Sequence, residues 1–295
     1  TPGNVTLLHD AITARLRAEA SIEPDPVPTG EVKKETQIIA IYGKGGIGKS
    51  FVATLLYDYL TDVGVRLKAF DLDHANSTFN RLVPEAEFID TDVDTDKLGV
   101  LDRIVLSLPE ADVVLVDNRA TGGSKVLAYL DETQLPEMQE KFGCMLVFVV
   151  IATDDKDANS QIAELLDSHG PRVRWLVARN LRDGGSLDLF TQSNARKRLA
   201  DYGAVEVDVP CLAEVTKNRL QQANLTVGRG RESDALHLLD RSRCVRFHAR
   251  MKDEAYRLFL QVYRRLPRPV RRWAVRAGTP KYTVGAICIV RRDDG

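Results

Sequence analysis

The chain is poor in cysteine, in net charge and in long apolar runs, and each shortage excludes a class of function. Four cysteines, widely spaced over 295 residues, suit neither a disulfide framework nor a CxxC metal site. No uninterrupted apolar stretch reaches membrane-spanning length, and the first residues lack the charged, apolar, small-residue order of a secretory signal, so a cytoplasmic protein is expected. Lys and Arg number 41 against 42 Asp and Glu, a net charge of −1, so no global field drives the chain onto nucleic acid and any basic surface must be local. The length suits one large α/β domain with appendages better than two complete domains.

What is present centres on residues 36–50. An apolar run over 36–42 leads into Gly43-Lys44-Gly45-Gly46-Ile47-Gly48-Lys49-Ser50, which is a glycine, four residues and then Gly-Lys-Ser. This is the P-loop pattern, preceded by the buried strand that such a loop requires. Its glycines let the backbone take positive φ and turn several N–H groups toward one anion. Residues 50–62 read as an amphipathic helix closed by Gly64, whose N-terminus adds partial positive charge at the same place. The expected nucleotide-binding set is Gly43, Lys44, Gly45, Gly46, Ile47, Gly48, Lys49, Ser50 and Phe51. Lys49 should reach the β/γ-phosphates and the Ser50 hydroxyl should ligate Mg²⁺.

Apolar runs and helical stripes alternate along the rest of the chain. Strands are expected over 65–71, 112–117, 144–151, 173–178 and 204–209, with helices near 94–107, 156–168 and 187–202. That rhythm predicts a mostly parallel sheet with helices on both faces and a ligand at the carboxyl ends of its strands. Residues 1–35 read as a helix followed by a Pro-rich linker, 36–266 as the P-loop domain, and 267–295 as a basic linker with a short strand segment. A long helical pattern covers 233–266. Within the domain, Val113-Val114-Leu115-Val116-Asp117 has the form of a Walker B strand, whose carboxylate holds Mg²⁺, usually through water.

The lysine directly after the first glycine carries a resemblance. Lys44-Gly45-Gly46-Ile47-Gly48-Lys49-Ser50 resembles the deviant Walker A motif of the ParA, MinD and nitrogenase iron-protein superfamily. The resemblance implies an ATP-dependent homodimer in which Lys44 crosses to the partner's nucleotide, making Lys44, Lys49 and Asp73 the catalytic set. Asp71-Leu72-Asp73-His74-Ala75-Asn76 is similar to the ParA phrase Asp-Leu-Asp-Pro-Gln-Gly-Asn, so Asp73 would position or activate the attacking water and join Ser50 and Asp117 as the metal residues. Asn180, ending a later strand, matches an asparagine that reads the adenine edge in the iron-protein and MinD branches; a turn asparagine is the alternative. Pro210 matches the proline leading into the base-covering loop. Asn118-Arg119-Ala120-Thr121-Gly122-Gly123 occupies the switch position but lacks the Thr-Pro-Pro usual in ParA-like proteins.

Residues 33–51 look very like the iron-protein subunit of chlorophyllide reductase, an ATP-gated electron donor whose dimer shares a [4Fe–4S] cluster. No cysteine lies between Ser50 and Gly143, where the ligands belong, so no iron–sulfur cluster is expected and electron transfer is the disfavoured alternative. Small buried hydrophobe is the expected role of Cys144, Cys211, Cys244 and Cys288. The tail over 266–295 resembles the opening strand of a Nudix hydrolase domain without its acidic box. The preferred reading is a ParA/MinD-like ATPase using ATP and Mg²⁺, switching as a homodimer that positions DNA or a protein cargo. Arg-rich stretches over 241–250 and 264–276 are candidates for nonspecific phosphate-backbone contacts or for a solvated helix face. A third reading is an interaction module that binds ATP without turnover.

Overall fold

The computed structural model describes residues 35–73, 77–91, 99–119, 123–182 and 186–263. The expected N-terminal helix and linker, and the tail over 267–295 with its expected strand segment, lie outside the described residues. Within them, seven strands form one sheet: β1 (Thr36–Tyr42), β2 (Leu67–Asp71), β3 (Glu87–Phe88), β4 (Val113–Asp117), β5 (Cys144–Ala152), β6 (Arg174–Asn180) and β7 (Val205–Val209). Their order is β3-β2-β4-β1-β5-β6-β7 and every pair is parallel. The helices are α1 (Lys49–Asp62), α2 (Thr78–Leu82), α3 (Asp102–Leu106), α4 (Gly123–Thr133), α5 (Gln139–Phe142), α6 (Lys156–His169), α7 (Asp188–Gln192), α8 (Asn194–Asp201), α9 (Glu214–Gln222), α10 (Val227–Gly230) and α11 (Leu238–Tyr263). This is the α/β P-loop architecture expected from the alternation of strands and helices.

The central strands are apolar along their length because both faces of the sheet are covered. Along β1, Ile39 and Ile41 face a core shared with Val52 and Leu55 of α1 and with Cys244 and Phe247 of α11. Ile38, Ala40 and Tyr42 face the opposite core, with Tyr129 and Leu130 of α4, Ile162 and Leu166 of α6 and Leu199 of α8. The register brings the strand ends level. Ile41 lies opposite Asp117, and Asp117 lies opposite Asp71. A buried carboxylate also docks the C-terminal helix: Asp240 of α11 accepts from Thr216 of α9 at 2.8 Å, and pairs with Arg219 and Arg243. The Arg219 guanidinium contributes most to holding its pKa down at about 2.

The expected strands all form, with ends shifted by a residue or two. Three local expectations need correction. Residues 187–202 are not one helix: Ser193 is extended, its hydroxyl accepts the Arg196 N–H at 3.1 Å, and this cap starts α8 as a separate helix after α7. Near 94–107 the described residues form only a 3₁₀ turn, Gly99–Leu101, followed by α3. The C-terminal helix begins at Leu238 rather than 233, because residues 233–236 close a turn through the Leu236 N–H and Ser233 carbonyl. Neither α2 nor β3 was expected, since β3 is a two-residue edge strand with both residues exposed and no apolar pattern.

His169 ends α6 inside the second core, 2% exposed, with its ring 5.0 Å from that of Phe148 and with Nε2 lacking a partner among the described residues. Burial, aided by Arg172, holds the imidazole below the usual histidine range. The unfolded chain therefore binds a proton first as pH falls, so this contribution to stability is intact above about 6.5 and is lost on acidification through the lower folded pKa. His169→Leu should flatten the decline in melting temperature between pH 7 and 5; parallel melting profiles for the two proteins would contradict this.

Candidate functional site

The loop between β1 and α1 takes its shape from glycines in conformations that other residues avoid. φ is +151° at Gly43, +76° at Gly46 and +102° at Gly48. The first intrahelical bond of α1 runs from the Val52 N–H to the Gly48 carbonyl, so the N–H groups of Lys49, Ser50 and Phe51 have no acceptor within the helix. No side chain caps that end. These donors and the helix dipole suit an anion.

Lys49 is buried, and its ammonium donates to the Lys44 carbonyl at 3.1 Å. Burial lowers its pKa, against the opposing pull of Asp117 and Asp73. Asp117, at the end of β4, is fully buried, and neither carboxylate oxygen has a hydrogen-bond partner among the described residues. Burial raises its pKa to about 7, and the like charges of Asp71 and Asp73 add to the rise. The Ser50 hydroxyl and the Lys49 ammonium favour its ionisation, without the hydroxyl meeting hydrogen-bond geometry at either oxygen.

The neighbouring carboxylate is in a different condition. Asp71 is equally buried, but one oxygen accepts the Asp73 N–H at 2.9 Å and the other the Asn80 N–H of α2 at 2.8 Å. Both oxygens are thus bonded to backbone, although burial still raises its pKa, and Asp71 anchors the chain around Asp73. Asp73 follows β2 and contributes negative charge at both Lys49 and Asp117. His74, Ala75 and Asn76 of the similar phrase lie outside the described residues, as do residues 120–122 of the switch position.

Lys44 points elsewhere. Its ammonium lies 3.2 Å from Asp155 and 2.9 Å from Asp157, at the start of α6. These carboxylates raise its pKa, and Asp155 also caps α6 by accepting the Ala158 N–H at 2.9 Å. Asn180, at the end of β6, is buried against the loop, and its side-chain amide donates to the Ile47 carbonyl at 2.8 Å. Pro210, also buried, follows Val209, which pairs with Asn180. Gly43 to Ser50, Asp73, Asp117, Asn180 and Pro210 therefore gather at the carboxyl ends of β1, β2, β4, β6 and β7. Phe51 joins them by its backbone only, because its ring packs 5.9 Å from that of Phe247 in α11.

Sequence reasoning missed Asp155, Asp157 and Arg182, whose guanidinium donates to the Gly46 carbonyl. It did not anticipate that Tyr42 and the switch-position Asn118 would be buried side by side, close enough for Asn118 to favour the Tyr42 phenolate though short of hydrogen-bond geometry. Only the Asp155 cap before a helical stripe carried a local signal. Of the cysteines, Cys144 and Cys244 are buried as expected, and burial raises both thiols to about 11. Cys211 is exposed, against expectation, and Cys288 lies outside the described residues.

The orphaned Asp117 oxygens and the nearby Ser50 hydroxyl suit a small hard cation. Among the described residues no three His, Cys, Asp or Glu side chains converge as a metal cage, so such a cation would take its remaining oxygens from water and phosphate, as Mg²⁺ does.

No family model matches the chain. Among curated proteins, it is 25% identical to protein TraL of Escherichia coli over 228 residues, covering 70% of this chain and 90% of TraL. It is 48% identical to the chlorophyllide reductase 35.5 kDa chain of Cereibacter sphaeroides over 73 residues, 24% of this chain; the match spans only 22% of that relative's length. Among solved structures, the septum site-determining protein MinD of Pyrococcus horikoshii OT3, complexed with Mg-ADP, aligns with a TM-score of 0.47 and 15% identity, over 76% of this chain and 97% of that one. MinD of Aquifex aeolicus aligns with a TM-score of 0.44 and 13% identity, over 74% and 98%.

The charge state of Asp117 is directly testable. With a folded pKa of about 7, the group costs no stability when both states are protonated and costs progressively more as pH rises from its unfolded value toward 7. Asp117→Asn should therefore be more stable than the wild type at pH 8, by on the order of 4 kcal/mol, and melt higher, with the gap closing toward pH 4. A variant that melts lower at pH 8 would contradict an unpaired buried carboxylate.

Proposed function

We propose that the chain is an Mg²⁺-dependent ATPase of the ParA/MinD type that binds ATP on the Gly43–Ser50 loop and switches by forming a homodimer. The observation that carries this reading is the buried Asp117 carboxylate, without a hydrogen-bond partner among the described residues, near a helix start whose Lys49, Ser50 and Phe51 N–H groups have no acceptor within the helix. A phosphate chain accompanied by Mg²⁺ supplies both missing partners at once. Ser50 and Asp117 are the residues that would hold the ion, with Asp73 at its edge, and the ion would neutralise charge on the transferred phosphoryl group. Lys49 exchanges the Lys44 carbonyl for phosphate oxygens. Asp73 orients the attacking water. Pro210 flanks the base.

Lys44 takes its role by leaving Asp155 and Asp157. Both pairs are substantially solvated, with side-chain exposure of 36% for Lys44 and 40% and 76% for its partners, so little holds the lysine in place against a partner's nucleotide. A DNA-positioning role has narrower support. In the basic stretch over 241–250, Arg241 pairs with Asp234 and Arg243 with Asp240, whereas Arg246 and Arg250 are exposed and lie one helical turn apart. The second stretch, 264–276, lies outside the described residues.

Titration calorimetry should detect Mg·ATP binding to the wild type, weakened on the order of 100-fold in Lys49→Ala by loss of a charge-assisted contact. Failure of the wild type to bind would contradict the proposal. Lys44→Ala should retain binding but lose ATP-dependent dimerisation in sedimentation velocity and lose turnover. If it dimerises and hydrolyses as the wild type does, the lysine does not act across an interface.

A further inference from the structure

We infer that Asn180 and Arg182 are positioning residues that fix two peptide planes of the phosphate-binding loop, so that its N–H groups are aimed before any ligand arrives. The Asn180 amide donates to the Ile47 carbonyl at 2.8 Å, and the Arg182 guanidinium donates to the Gly46 carbonyl at 2.5 Å. In a planar trans peptide the carbonyl and the following N–H point in opposite directions. Drawing the Gly46 and Ile47 carbonyls toward the end of β6 therefore turns the N–H groups of Ile47 and Gly48 to the other side of the loop, where phosphate lies in the reading above, on which this inference rests.

The clamp is itself held in place. The Asn180 side-chain oxygen, Oδ1, accepts the Arg182 backbone N–H at 3.2 Å, which fixes which end of the amide faces the loop. The Leu181 N–H donates to the Val209 carbonyl at 2.9 Å, tying the strand end to β7. Gly48 is fitted to the arrangement: a Cβ there would stand 2.9 Å from the Asn180 amide nitrogen, and its φ of +102° is strained for any side chain. Free glycine-rich loops sample many orientations, so donors fixed in advance lower the entropic cost of gathering an anion. One amide hydrogen and one oxygen lone pair of Asn180 are thus already engaged by protein.

A clamp and a base reader respond differently to a ligand without a base. Affinities for Mg·ATP and for inorganic tripolyphosphate with Mg²⁺ are measured by calorimetry on the wild type, Asn180→Ala, Arg182→Ala and Arg182→Lys, with melting curves to confirm folding. Each alanine variant is expected to lose about 10-fold on both ligands alike, while Arg182→Lys, which keeps a donor, stays within about 3-fold of wild type. Arg182 is exposed, so its variants repeat the test even if Asn180→Ala fails to fold. Loss of ATP but not tripolyphosphate affinity in the alanine variants, or unchanged affinity for both, overturns the inference and leaves the nucleotide reading standing. A wild type that binds neither ligand overturns both.

Discussion

A fully buried carboxylate with no hydrogen-bond partner among the described residues is the constraint around which this protein is arranged. Asp117 ends the strand beside β1, and burial alone makes its ionised form costly. The parallel register makes matters worse, because Asp71 stands directly opposite. A sheet with two acids side by side at its carboxyl edge needs compensation nearby. The chain supplies Lys49, Ser50 and the positive end of α1, all delivered by the turn that follows β1. Strand order, glycine conformations and helix direction thus converge on one electrostatic demand.

The two acids answer that demand differently, and the difference separates structure from function. Asp71 spends its lone pairs on the N–H groups of Asp73 and Asn80, and so organises the segment after β2. Asp117 has no such partners among the described residues and is left poised near neutral pH. The two loop lysines divide in the same way. Lys49 is buried with a lowered pKa, next to the acids. Lys44, the second residue of the loop, is raised by Asp157 and Asp155 in solvent. One lysine belongs to the interior of the site and the other to its surface.

Much of this was legible in the sequence because it is local. Apolar runs gave the strands of a sheet buried on both faces, and Gly43 to Ser50 is a contiguous pattern in which Gly43, Gly46 and Gly48 take the positive φ that favours glycine. What escaped depends on tertiary placement or on short polar caps. The partners of Lys44 lie more than a hundred residues away in sequence. The contact of Arg182 with Gly46 joins two elements separated by a similar span. The break at Ser193 comes from one hydroxyl competing with the helix. Phe51 is within the motif, yet its ring serves the core against Phe247, because only its N–H is needed at the loop.

The central claim is that the Asp117 charge is completed by a cation arriving with a phosphate chain. The most direct measurement is the proton balance of Mg·ATP binding at pH 7, obtained by calorimetry in buffers of different ionisation enthalpy. With a free-state pKa of about 7, wild-type protein should release about half a proton more on binding than Asp117→Asn does. Equal proton release from the two proteins would mean that Asp117 does not ionise on binding, and would contradict the account.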